Sequence, residues 1–205
     1  MEESVQTSKY ARTHQGLIAA TLAEICATGT FSAEAVTRRC NQSVATFYKH
    51  FAAKDEAMAD AFGLALDELV TQVQAQWTIE KLLAEGAETV CRDGVYAAIS
   101  YFNKHLLIFR TALADLPTSK RIRAVYRSHE AQILEHFEQL IRLGQRAGKI
   151  RGQADDVVTI ARTHLVLTQG LNNHNLLGQH DDAVFGAMAA AIQANLVGSR
   201  PTDNE

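Results

Sequence analysis

Apolar residues recur along this chain at steps of three and four, the spacing that returns a side chain to one face of an α-helix. Leu17, Ile18, Leu22 and Ile25 form the first such stripe and predict a helix from about Thr13 to Ala27, with residues 1–9 polar and frayed. Gly29 supplies its stop. Ser32 is placed to cap a second helix in which Val36 and Cys40 face inward and Arg38 and Arg39 face water. The turn Cys40-Asn41-Gln42 leads into a third, short helix whose Phe47 and Phe51, four apart, fall on one side. A longer fourth helix starts near Lys54 and carries Met58, Phe62, Leu66, Leu69 and Val73; Asp55 and Glu56 suit its positive amino end.

Beyond Trp77 the pattern predicts an amphipathic helix around Ile79 to Cys91, then another from Gly94 to Ala114. The second carries the stripe Val95, Ile99, Phe102, Leu106, Phe109 and Leu113, widened by Tyr96, Tyr101, His105 and Ile108. A helix apolar on most sides has to be surrounded by others. Leu116-Pro117-Thr118 breaks it, and the next helix runs from Ser119 to about Ala147, ending at Gly148. Asp155 and Asp156 open a further helix to about Leu177, and Asp181 and Asp182 open the last, through Phe185, Met188, Ile192 and Leu196. Strand signals are nearly absent, so the expected fold class is all-α. It comprises a three-helix amino-terminal module and a larger helical carboxy-terminal domain.

Composition agrees. With 205 residues, 47% of them hydrophobic, the chain can bury one good core plus a small appended module. Only Pro117 and Pro201 interrupt it, so long helices run through. The net charge of −3 argues against indiscriminate coating of nucleic acid, but the charge is unevenly spread. From Lys9 to Lys54 six basic residues (Lys9, Arg12, Arg38, Arg39, Lys49, Lys54) face two acids, Glu24 and Glu34. No apolar span long enough for a membrane helix or export signal is present, so a cytoplasmic location is expected, with no membrane partner. Cys26, Cys40 and Cys91 are odd in number and never in CxxC spacing. Cys26 and Cys40 read as small core residues, with a redox switch as the alternative. No histidine pair has chelating spacing, and no Walker loop, GxGxxG or GxSxG occurs, so no metal, no cofactor and no enzymatic activity are expected.

The segment from Gly29 to Phe51, GTFSAEAVTRRCNQSVATFYKHF, holds the chain's most specific pattern. Two short helices about a tight turn end in a polar-aromatic run, and Ser43 can cap the second of them. Tyr48, Lys49 and His50, between the two phenylalanines, all donate to phosphate oxygens. The run Ser43-Val44-Ala45-Thr46-Phe47-Tyr48-Lys49-His50-Phe51 resembles the S-x-G-T-[LF]-Y-x-[HY]-F run of TetR/AcrR-type transcriptional regulators. Lys54-Asp55-Glu56 is similar to the start of that family's fourth helix, and Arg12, Ile18, Ala19, Ala20, Leu22 and Gly29 fit its first-helix pattern. The resemblance covers about a quarter of the chain. It departs in the turn, where Asn41 and Gln42 stand for the family's Gly and Val.

The resemblance implies a DNA-reading module, residues 1–58, followed by an effector-binding and dimerisation domain, residues 59–200. Val44 and Ala45 are then expected against thymine methyls, Thr46 against a base or phosphate, and Lys49 against guanine or the backbone. Tyr48, His50 and Lys54 are expected as phosphate clamps, with Ser32 and Ser43 at the two helix starts. By periodicity alone Val44 shares the face of Phe47; only the resemblance puts it on DNA. A single module reads few base pairs, so a homodimer on a palindrome of double-stranded DNA is expected, its reading helices roughly 34–36 Å apart. Ile133, Phe137, Leu140 and Ile141 on one helix, with Ile160, Leu167 and Leu171 on the next, are the candidate dimer stripes; the alternative is that they fill the subunit's core. Phe62, Leu66, Tyr96, Tyr101, Phe102, His105 and Phe109 are the candidate lining for a small apolar or amphipathic effector, with plain core aromatics as the alternative. The expected function is a ligand-released repressor. A DNA-bound scaffolding or nucleoid-associated protein with a protein partner is the rival reading.

Overall fold

A computed structural model describes residues 2–151, 156–176 and 181–197, with the side chains of 2–8, 171, 172 and 174–176 left out. Among the described residues there are nine helices and no strand: α1 Glu2–Thr28, α2 Ala33–Arg39, α3 Val44–His50, α4 Lys54–Gln76, α5 Ile79–Lys104, α6 Leu106–Asp115, α7 Lys120–Arg146, α8 Val157–Leu176 and α9 Asp182–Val197. The expected all-α class is observed. Asp155 and Leu177, taken as the ends of α8, lie outside the described residues.

Two boundaries differ from expectation. Helix α1 begins at Glu2 rather than near Thr13, because residues 2–12 contain no Gly or Pro to stop it. Gly94 starts no helix. It lies inside α5, where a Cβ would come within 2.4 Å of the Trp77 ring, so the glycine is there to let the indole pack. The kink in α5 falls instead at Gly86, whose φ of 82° only glycine adopts cheaply, and the break before α6 falls at His105.

The chain forms two compact units. The first comprises residues 1–68 and 105–128, the second residues 69–104 and 129–205, so both α4 and α7 pass from one to the other. These packing units divide the chain differently from the functional division expected at residue 58, since α6 and the start of α7 pack with the amino-terminal helices.

In the first unit Leu17, Ile18, Ala20, Ala33, Val36, Phe47, Phe51 and Ala57 form one buried cluster. Phe62 meets Phe109 edge-on at 5.7 Å and lies parallel to Tyr126 at 6.5 Å. The start of α4 is tied to the start of α7: Ser119 donates to Asp55 at 2.9 Å and Arg121 to Glu56 at 3.2 Å.

In the second unit a larger core gathers Trp77, Leu82, Val95, Ile99, Phe137, Leu140, Ile141, Phe185 and Ile192, among others. His164 is buried in it, 4.5 Å from the Trp77 ring and 4.1 Å from Phe137, and burial pushes its pKa down to about 3. α7 ends in paired turns about Gly148 (φ 66°), with Lys149 N–H bonded to the Gly144 carbonyl at 2.8 Å.

Candidate DNA interface

The geometry of α2, α3 and the turn between them follows from three local interactions. Ser32 Oγ accepts from Ala35 N–H at 3.1 Å and starts α2. At its end Gln42 N–H bonds to the Thr37 carbonyl at 2.9 Å, with Asn41 at φ 52°, the left-handed position that closes a helix. Asn tolerates this conformation better than other side chains with a Cβ, which is how the turn forms without glycine. Ser43 Oγ then accepts from Thr46 N–H at 3.0 Å and opens α3.

Phe47 and Phe51 are fully buried and face each other at 5.0 Å between ring centroids. They fix the rotation of α3 about its axis. Gln42, Ser43, Ala45, Tyr48 and Lys49 are exposed as a result, Tyr48 by 54%, although a phenol ordinarily buries part of its ring. Lys54 is exposed at the head of α4, its ammonium 5.0 Å from the Phe31 ring centre, which steadies the long side chain.

Three expected contacts are altered. Val44 is only partly exposed and packs on the buried cluster beneath, as its periodicity indicated, so Ala45 is the better placed of the two for a thymine methyl. Thr46 is half-buried, and its hydroxyl shares a hydrogen bond with Ser43 Oγ at 2.9 Å. His50 does not stand out as a clamp: its ring stacks on Tyr10 at 4.1 Å and on His14 at 5.5 Å, with Nδ1 buried and lacking a hydrogen-bond partner among the described residues. Burial lowers its pKa first, and the neighbouring His14 and Lys49 lower it further.

Tyr10 and His14 were not anticipated. They lie four apart on α1, and that aromatic spacing before Leu17 was the available signal. His14 Nε2 is also 3.6 Å from an Asp60 carboxylate oxygen on α4, so the rings lock α1, α3 and α4 together.

The candidate effector residues divide between the two units. Phe62, Leu66, His105 and Phe109 belong to the first, and Tyr96, Tyr101 and Phe102 to the second. All are buried except Tyr96, which is 40% exposed and stands at the surface rather than in a core. The candidate dimer stripes lie on or against the second unit's own core. Phe137, Leu140 and Ile141 are at most 5% exposed and belong to the second unit's own core, with Ile133, Ile160 and Leu167 packed against it. The Leu171 side chain lies outside the described residues. Amphipathic periodicity reports which face is apolar, but not whether that face meets its own subunit or a second one. Among the described residues the large exposed apolar side chains of these helices are others: Val158 and Val166 on α8 and Leu143 on α7.

No protein-family model matches the sequence, and no curated protein matches it significantly. Solved structures do match in fold. A protein of Mesorhizobium loti described as a TetR-family transcriptional regulator is 18% identical, with a TM-score of 0.74 over 91% of this chain and 96% of its own. A TetR transcription regulator from Haloarcula marismortui is 12% identical, also at 0.74, over 91% and 97%. A transcriptional regulator from Saccharomonospora viridis, solved in complex with choline, is 17% identical, with a TM-score of 0.66 over 91% and 98%. Among the described residues the chain is all-helical, with two short helices joined by a tight turn near its amino end. Its fold is that of the TetR-family regulators.

Proposed function

We propose that the protein is a DNA-binding transcriptional regulator of the TetR type, acting as a dimer and most simply as a repressor released by a small apolar or amphipathic effector. The observation that carries this reading is α3 itself: two buried phenylalanines hold it down while Ala45, Tyr48 and Lys49 point away from the core. Such a helix serves no purpose in packing on its outer side. In a major groove that side supplies a methyl contact, a phenol and an ammonium, with Lys54 and the amino ends of α2 and α3 set for phosphates.

The functional division at residue 58 belongs to this reading, with residues 59–200 carrying effector recognition and dimerisation. Two features support a dimer formed by α8 and α9. Val166 is 64% exposed on α8, a large apolar surface for one residue. The exposed positions of α9 include Ala183, Gly186, Ala187, Ala190 and Ala194, a face small enough for a second helix to approach closely. The choline complex of the S. viridis protein supports a small-molecule effector. No single described helix is long and apolar enough to cross a membrane.

An electrophoretic shift with the DNA upstream of the protein's own gene tests the reading. A sequence-selective complex that weakens steeply with salt is expected. Tyr48→Phe and Lys54→Ala each remove a phosphate contact and are expected to weaken binding about uniformly across sequences, whereas substitutions at Ala45 or Thr46 alter sequence preference. Absence of any selective complex at low salt would exclude the function.

A further inference from the structure

The last turn of α1 carries Cys26, a half-buried thiol with no part in the DNA face. Its Sγ lies 3.7 Å from Nδ1 of His105, the residue that precedes α6. The imidazole is about nine-tenths buried, and its other nitrogen, Nε2, lies 3.9 Å from an oxygen of the half-exposed Glu68 carboxylate on α4, within ion-pair reach but too far for a hydrogen bond. All three residues belong to the first compact unit.

This order of groups has a chemical sense. The Glu68 carboxylate attracts positive charge at Nε2 across that distance, and a proton there leaves the lone pair on Nδ1 facing the thiol. The thiol proton can then pass to Nδ1, giving a thiolate beside an imidazolium with a carboxylate behind it: nucleophile, base and orienting group. The carbonyls ending α1 favour the imidazolium and oppose the thiolate, so reactivity depends on the pairing with His105. Among the described residues neither Cys40 nor Cys91 has a histidine hydrogen-bonded to its thiol. Burial raises the pKa of the Cys40 thiol and pushes that of Cys91 up to about 12.

We propose that Cys26 is a covalent acceptor site for soft electrophiles, with α,β-unsaturated carbonyl compounds as the chemical class it takes. The thiolate sulfur bonds to the β-carbon, the C=C π pair moves onto the carbonyl oxygen as an enolate, and the imidazolium returns its proton to the α-carbon. Thiol and enone give a thioether, the imidazole ends neutral, and no oxidant or further reactant is needed. Where the Thr111 hydroxyl holds the Gly29 carbonyl at 3.0 Å, α6 is fastened to the end of α1 just beyond this cysteine. An adduct on Cys26 pries at that fastening, and α1 carries the Tyr10 and His14 rings that hold α3. The effect on DNA rests on the function proposed above; the acceptor site does not.

The test uses the full-length protein and limiting N-ethylmaleimide, with peptide mass spectrometry following each cysteine from pH 6 to 9. Cys26 is expected to label about ten-fold faster than Cys40 at pH 7, with Cys91 unlabelled while the protein is folded. His105→Ala is expected to bring Cys26 down to the Cys40 rate. Glu68→Gln, a half-exposed position that does not threaten folding, is expected to slow it several-fold and shift its pH profile upward. Equal labelling of Cys26 and Cys40 in the wild type, or a Cys26 rate untouched by both substitutions, would overturn the proposal. In a second arm the labelled wild type is expected to lose DNA affinity and a labelled Cys26→Ser protein to keep it. Unchanged affinity after full labelling would overturn the regulatory consequence alone. An unlabelled protein that never binds DNA would instead sink the proposed function and leave the labelling result standing.

Discussion

At the scale of single residues, His164 is the clearest case of a group held in one protonation state by its surroundings. The imidazole is 1% exposed, sits against Trp77 and Phe137, and its Nδ1 is buried without a hydrogen-bond partner among the described residues. Its pKa of about 3 lies below the ordinary histidine value of 6.5, so between those limits the unfolded chain binds the proton more readily. Stability from this group is therefore fully present above about pH 6.5 and is lost as pH falls toward 3. Within that window each fall in pH favours the unfolded chain, which takes up the proton that the buried ring refuses. His164→Leu has similar bulk and no proton to gain. Urea unfolding at pH 7, 6 and 5 is expected to show a shallower acid loss for this variant than for the wild type; parallel curves would show that the ring is not held neutral. Nothing in the sequence marked this histidine apart from its apolar neighbours on α8. Its partners come from α7 and from Trp77, distant segments that only folding brings together.

At the scale of elements, the turn between α2 and α3 decides how α3 is presented. Asn41 holds a φ of 52°, a conformation that costs an ordinary side chain about 1–2 kcal/mol and glycine almost nothing. Asn41→Gly is thus expected to match or exceed the wild type in stability, and Asn41→Ala to lose about 1 kcal/mol, measured by thermal unfolding. An alanine variant as stable as the glycine one would mean the turn is not under this constraint. This turn, the caps at Ser32 and Ser43 and the buried pair Phe47 and Phe51 were legible in the sequence, because each depends on residues within a few positions of one another. The limits of α5 were not. Gly94 looked like a helix start, since glycine commonly punctuates helices, and only the Trp77 ring lying against it shows why it sits mid-helix. His50 was likewise read from its own helix alone, whereas the rings stacked on it come from α1.

At the scale of the whole molecule, the apolar stripes of α7 and α8 were visible as patterns but not as assignments, because a subunit's own core and a dimer seam demand the same periodicity. Phe137, Leu140 and Ile141 went to the core, and Val166 was left outside. Val166→Glu places a charge at a position 64% exposed, so subunit stability is expected to change by less than about 0.5 kcal/mol. If the proposed α8–α9 dimer forms, the same change is expected to turn it into a monomer by sedimentation at micromolar concentration. A variant that stays dimeric would move the interface elsewhere. The central claim, that the outer side of α3 reads duplex sequence, is tested most directly by selecting binders from a pool of random double-stranded DNA. The account predicts enrichment of an inverted repeat whose half-sites lie about one helical turn apart, with the preference altered by changing Ala45 or Thr46. A pool that stays random through successive rounds, or a repeat that those substitutions leave untouched, would contradict it.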